Sequence, residues 1–568
     1  MIRALHLKGL QQGSSPWTAP KDGESDSDAP VFSRLDHIEA LTAGVYDTLV
    51  IGAGINGATS AAALSHAGAR TAVVDCGDFG GCTSQNSSNL IWGGIKYLEN
   101  LEFGLVRRLS LQRNELMRTY PSAIQEVRFF VAVQKSSRIP PAAMWLGSWL
   151  YWFFGNCHTN PPRIFSRKQL NKEISLLRSD RLRGGLCYSD ARLVDGDARF
   201  VFNLLRKAVV AGAVVANYVR VADLHFSSDG VWDVTLEDAI GGSRFHARAR
   251  TLVNAGGPFA DQLNELADFD SDAHHVYSKG VHLIVDKILP ADRVLAIFAE
   301  DGRMFFAIPF CGKTCIGTTD TQTTNPIVEV TDSDRQFILE NINRHLDLEV
   351  PLTKADILAE RCGVRPLVVS ERDSLNAADW HKLSRKHKVE FDRSRNLVCV
   401  FGGKFTDCLE VGREVREKIG TCGLSLTQAS WYGEPGASAR SDTRARVQQA
   451  KETSEQAGQL PWGRLWRIYG ELTGWIADRI CADPILAEIV IPVEKISRAE
   501  LECIRDTESV VKFEDFLRRR TSLAQTHSDR QLATLAGIKQ AGQILFGDEA
   551  EYRYNEYFSP RVAVDSRN

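Results

Sequence analysis

Val45-Tyr46-Asp47-Thr48-Leu49-Val50-Ile51-Gly52-Ala53-Gly54-Ile55-Asn56-Gly57 runs from an apolar strand into a glycine-rich turn. Ala58 to Ala67 then supplies small helix formers, Gly68 ends that helix, and Thr71 to Asp75 reads as a second strand. The whole is a β-α-β unit of roughly 30 residues, the size of a nucleotide-binding half. Within Gly52-x-Gly54-x-x-Gly57, Gly52 permits the tight turn and Gly54 lets backbone N–H groups approach a pyrophosphate. Gly57 lets helix and strand pack closely. The helix N-terminus faces the phosphate charge, and Asp75 stands where a carboxylate can accept from ribose hydroxyls.

Outward from this unit the pattern alternates. Phe200 to Val210 reads as helix and Ala213 to Leu224 as strand; Val231 to Leu236 and Phe245 to Val253 follow as strands, before the Gly256 loop. Residues 270–370 are strand-rich. From about 440 the period turns helical, with Leu465, Ile468, Tyr469, Leu472, Ile476 and Ile480 on one face. The reading is an α/β body over 45–425, a helical C-terminal domain over 426–568, and a disordered tail over 1–44 whose Asp22, Glu24, Asp26 and Asp28 argue against a transit peptide.

Composition agrees with an ordinary globular chain. The 568 residues include 43% hydrophobic and 24% charged, and 68 basic against 71 acidic residues leave a net charge of −3. No basic field points to nucleic acid. The twelve cysteines are scattered without a CxxC pair, so neither a disulfide scaffold nor a metal site is expected, and a reducing, cytoplasmic compartment is.

Later motifs add a resemblance. Ser84 to Glu99 (SQNSSNLIWGGIKYLE), Lys279-Gly280-Val281-His282, Gly317 to Asp320 (GTTD), Gly363 to Leu367 (GVRPL), Phe401 to Thr406 (FGGKFT) and Leu517 to Thr521 (LRRRT) occur in this order. The chain resembles the FAD-dependent, aerobic-type glycerol-3-phosphate dehydrogenases, within the glycine oxidase and D-amino-acid oxidase-like flavoproteins. The resemblance implies a discontinuous, doubly wound FAD-binding domain, a strand-rich substrate domain over the flavin, and a helical C-terminal domain. It implies FAD ligands at Gly52, Gly54, Gly57, Asp75, Thr83, Ser84, Ser88, Leu90, Val221, Gly256, Gly403, Lys404 and Thr406. It further implies oxidation of glycerol 3-phosphate, or of a related phosphorylated polyol, phosphonate or amine, with quinone as electron acceptor; a homodimer is compatible with it.

Oxidising a secondary alcohol needs a base and a hydride acceptor, and a phosphate needs fixed cations, best a guanidinium fork. His282 is the candidate base because an ordinary histidine titrates near working pH. Arg365 is the candidate phosphate anchor, supported by Lys404 and Lys96; Tyr97, Trp92 and Asp320 complete the expected pocket. The chain departs from the family pattern at four places: Asn89 replaces lysine, Trp92 histidine, Lys96 arginine and Asp407 threonine. Asn89 and Asp407 are expected to make the pocket less positive, and all four expose substrate identity to doubt. Residues 139–162 carry no Asp, Glu, Lys or Arg. The Trp-rich helix within them is too short to span a bilayer. It reads either as lying in the interface, on the inner face of a membrane, or as a buried core helix.

Overall fold

The computed structural model describes residues 33–135, 140–178, 180, 182–289, 292–299, 302–370 and 386–565. Val45–Ile51 forms the middle of the first sheet, parallel to Thr71–Val74 on one side and Arg244–Asn254 on the other. Val214–Ala216 and Leu397–Phe401 extend the parallel sheet outward, and Lys388–Asp392 adds an antiparallel edge. Leu49 and Val50 are fully buried because helices cover the sheet, which explains why this strand reads as an unbroken apolar run. The helices Ile55–His66, Asp197–Val210 and Cys408–Gly420 pack together there around an alanine-rich core. Sheet and helices draw on segments more than 300 residues apart, which makes the nucleotide domain discontinuous.

The second sheet is largely antiparallel. Ala273–Val285 pairs with both Lys313–Gly317 and Ala359–Ser370, and Ile124–Gln134 pairs with Leu182–Leu193. One element thus holds His282 and its neighbour holds Arg365. The strand read over 213–224 breaks in two, Val214–Ala216 and Val219–Phe226, at Tyr218 with its left-handed φ of 55°.

The C-terminal region is helical and has its own core. Its apolar stripe belongs to two helices, Trp462–Tyr469 and Leu472–Ala482, separated at Gly470, whose φ of +58° no ordinary residue adopts cheaply. Buried ion pairs join this region to the body. Asp78 takes bonds from Arg519 and Arg520, and Glu508 takes bonds from Arg199 and Arg206. The Leu517–Thr521 motif is therefore the clasp between the two.

The tail expected over 1–44 needs correction. Residues 1–32 lie outside the described residues, but Arg34–Leu41 is a helix capped by Ser33. His37 and Leu41 are buried, the Val215 N–H donates to His37 Nδ1 at 2.8 Å, and Arg34 pairs with Asp238. An eight-residue helix held by tertiary contacts leaves too little periodicity to be read locally.

Candidate active site

The glycine turn divides its labour. At Gly52 (φ +98°) a Cβ would lie 2.5 Å from the Ala255 carbonyl oxygen, and at Gly57 1.8 Å from that of Gly52, so both glycines serve packing. Gly54 caps the Ile55–His66 helix without a side chain. First-turn N–H groups have no acceptor within their helix; Ser84 Oγ takes that of Ile55 at 3.0 Å, and the rest of the turn offers an anion cradle. Asp75 closes the turn from beneath, accepting from the Ala53 N–H at 2.6 Å and the Gly77 N–H at 2.9 Å. Burial raises its pKa to about 6 against these bonds.

Beyond the cradle lies a cavity of about 330 Å³. Thr83, Ser84, Ser88 and Leu90 line it from one side, Gly403, Lys404 and Thr406 from another. His282, Arg365, Asp320, Trp92, Lys96 and Tyr97 complete the wall. All the expected catalytic and substrate-binding residues thus face one space. Gly52, Gly54, Gly57, Asp75, Val221 and Gly256 do not line it. Gly52 and Gly256 meet along the strand ends, and Val221 lies in the core cluster that holds Trp232 and Leu236.

His282 is 3% exposed and neither ring nitrogen has a hydrogen-bond partner. Burial, then the Arg361 and Arg365 guanidinium groups, lower its pKa to about 3. The ordinary value assumed from the sequence therefore needs correction: His282 is a neutral imidazole at neutral pH. Arg361, directly opposite it in the strand register, pairs with Asp197 at 2.8 Å. Arg365 donates to Thr318 Oγ1 at 2.7 Å and to Asp320 Oδ1 at 3.3 Å. Asp320, which also accepts from the Ser278 hydroxyl, holds the fork as well as lining the cavity. Lys404 Nζ donates to the Tyr97 hydroxyl at 2.9 Å and sits 4.6 Å from that ring's centroid.

The departures fare unequally. Trp92 forms cavity wall, its ring 5.8 Å from that of Tyr97 and its Nε1 3.4 Å from the Tyr188 hydroxyl. Lys96 sits exposed at the rim. Asn89 is different: it is buried at a left-handed φ of 57°, which asparagine tolerates better than lysine. Its Oδ1 accepts the Asp197 N–H at 2.9 Å, so it caps a helix and does not line the cavity. Asp407 does not face the cavity with a free charge either. Its oxygens are taken by the Lys404 N–H at 2.7 Å and by His387 at 2.9 Å. The expected loss of positive field at these two positions is therefore not what the geometry gives.

Sequence reading missed Arg303 and Thr318. Both line the cavity, and Arg303 Nη1 donates to the Asp320 carbonyl at 2.8 Å. Only cross-strand pairing brings Arg303 there, and no local spacing signals it. The helix Pro141–Phe154 has one buried face and one exposed face. Ser148 and Tyr151 are buried, whereas Trp145, Leu146, Trp149 and Phe153 are exposed. Among the described residues no helix is long and apolar enough to cross a membrane.

The family model for FAD dependent oxidoreductases (DAO) matches residues 47–417, the segment that carries both the cradle and the cavity. The chain belongs to the FAD-dependent oxidoreductase family. Aerobic glycerol-3-phosphate dehydrogenase of Bacillus subtilis (strain 168) is 30% identical over 395 residues, 68% of this chain and 70% of that protein. Glycerol-3-phosphate dehydrogenase of Synechocystis sp. (strain ATCC 27184 / PCC 6803 / Kazusa) is 27% identical over 543 residues, 92% of this chain and 97% of that protein. The FAD complex of glycerol-3-phosphate dehydrogenase from Bacillus halodurans shares the fold, with a TM-score of 0.71 and 24% identity over 93% of this chain and 97% of that one. This flavoprotein is thus a glycerol-3-phosphate dehydrogenase-like oxidoreductase with FAD as its cofactor. The residues present fit FAD: a glycine-capped helix N-terminus lined by Ser84, a buried carboxylate at the end of the adjoining strand, and a cavity bounded by the Gly403–Thr406 loop.

Proposed function

We propose that this flavoprotein oxidises sn-glycerol 3-phosphate to dihydroxyacetone phosphate and passes the electrons to a quinone. One observation carries the reading: a neutral imidazole, a guanidinium fork and two lysines converge on the cavity bounded by the flavin loop. FAD, when bound, supplies the hydride acceptor. Arg365, held by Thr318 and Asp320, brings a fixed guanidinium charge to the cavity wall for the phosphate. Lys404 and Lys96 add positive charge. His282 takes the hydroxyl proton on its unused lone pair. A phosphate against Arg365 offsets part of the cationic field that lowers the basicity of His282. The anionic group therefore strengthens the base as well as anchoring the substrate.

The exposed Trp145, Leu146, Trp149 and Phe153 face supports contact with a membrane surface, where quinone resides. A second reading, another phosphorylated polyol, a phosphonate or an amine, is favoured by Trp92, whose indole takes cavity space and cannot titrate. The test is quinone reduction by the membrane-reconstituted holoenzyme with glycerol 3-phosphate, glycerol and a phosphonate analogue compared. Glycerol 3-phosphate should give the highest kcat/KM; preference for another compound would move the assignment to the second reading.

A further inference from the structure

We infer that His387 is a positioning residue for the flavin loop: as an imidazolium clamped between two carboxylates, it fixes the turn that presents Lys404 and Thr406 to the cavity. The geometry dictates its charge. Asp407 Oδ2 lies 2.9 Å from His387 Nδ1, and Glu414 Oε1 lies 3.1 Å from Nε2. A neutral imidazole donates from one nitrogen only, whereas a doubly protonated ring donates from both. Two carboxylate acceptors, one at each nitrogen, are therefore satisfied together only by the cation. The His387 side chain is 3% exposed and that of Asp407 2%, so water cannot substitute freely.

The clamp acts through Asp407. Its other oxygen accepts the Lys404 N–H at 2.7 Å, closing the short turn Phe405–Asp407. Lys404 is thereby held extended, at φ −142° and ψ 163°, with its ammonium against Tyr97. Thr406 Oγ1, on the same turn, donates to the Trp92 carbonyl at 3.0 Å. Without the imidazolium, Asp407 and Glu414 would face each other as uncompensated anions, and the turn would lose its fixed carboxylate.

Other charges around the ring leave the clamp as the dominant contact. Lys388, next to His387, is paired with Glu390; Lys418 on the Glu414 helix and Arg108 on the Phe103–Thr119 helix act on Glu414. Burial opposes the charge on His387, yet the bonds to Asp407 and Glu414 outweigh it and raise the pKa to about 9. The sign follows: the clamp is complete at neutral pH and opens as pH rises through that value. Residue 407 is one of the positions where this chain departs from the family pattern.

The inference concerns FAD retention and is independent of substrate identity. The test follows flavin fluorescence released on dilution of the holoenzyme from about pH 7.5 to about pH 10, for wild type, His387→Gln and His387→Lys. His387→Gln should release FAD about ten-fold faster at neutral pH, the worth of one charge-assisted hydrogen bond, with no step near pH 9. Wild type should approach that rate reversibly as pH rises, and His387→Lys, whose ammonium ordinarily titrates at about 10.4, should show its rise only at higher pH. Equal release by His387→Gln and wild type overturns the inference. So does a pH step shared by wild type and His387→Lys, which would belong to another group such as Lys404. Should His387→Gln fail to fold, the wild-type and His387→Lys profiles decide by themselves.

Discussion

Replacing Arg365 by alanine removes the guanidinium proposed to anchor the substrate anion. In the protein that side chain is held ready by Thr318 Oγ1 at 2.7 Å and Asp320 Oδ1 at 3.3 Å. Its charge reaches the cavity already oriented. Hydrogen bonds to charged groups are worth about 1.5–3 kcal/mol each. The side chain is 29% exposed, so water can replace part of the fork, and the loss is taken as one bond rather than two. At about 1.4 kcal/mol per decade, kcat/KM for glycerol 3-phosphate should fall about 10- to 150-fold. The direction is reinforced by Asp320, whose carboxylate would lose its Arg365 partner beside the phosphate. Arg365→Lys, which keeps the charge and loses the fork, should fall between the two. The assay is steady-state turnover with an artificial electron acceptor, normalised to bound flavin. An unchanged kcat/KM with full flavin content would show that Arg365 only pins its loop, and the phosphate anchor would have to be sought at Lys96, Lys404 or Arg303.

Gly54→Trp should abolish flavin retention, because even a Cβ there approaches Ser84 Oγ at 3.2 Å; a folded variant with full flavin absorbance would relocate the dinucleotide cradle. Trp92→His combined with Lys96→Arg should raise the kcat/KM ratio of glycerol 3-phosphate over its best competitor by about 1–3 kcal/mol. A drop in that ratio would make both residues tolerated variation. Lysine at position 89 would bury an ammonium where Asn89 caps a helix. Asp78→Ala should cost about 3 kcal/mol by removing the carboxylate that two buried guanidinium groups share, which leaves Arg519 to Asp515 and Arg520 to Glu508; this is read as a lowered urea midpoint, and an unchanged midpoint would deny the clasp its role.

The nucleotide half was legible because its chemistry is local. Gly52, Gly54 and Gly57 act within one turn, and Asp75 closes it from the adjoining strand. The cavity was legible only where motifs marked it, as at His282, Arg365 and Lys404. Arg303 stayed hidden because strand pairing alone brings it to Asp320. The basicity of His282 was misjudged because burial and Arg361 are tertiary facts. Asn89 and Asp407 were misread for a related reason. A side chain's type gives its charge, but only the fold shows whether it faces the cavity or, like Asn89, caps a helix. The helix Arg34–Leu41 was missed because its stability comes from Val215 and Asp238, far along the chain.

The central claim is that this cavity oxidises a small phosphorylated alcohol at FAD. Anaerobic titration of the purified holoenzyme with glycerol 3-phosphate tests it most directly. The flavin absorbance should bleach with one equivalent of substrate per FAD, while glycerol, lacking the anion that Arg365 holds, leaves the protein yellow. Persistence of the oxidised flavin with glycerol 3-phosphate, in a sample that dithionite reduces normally, would contradict it.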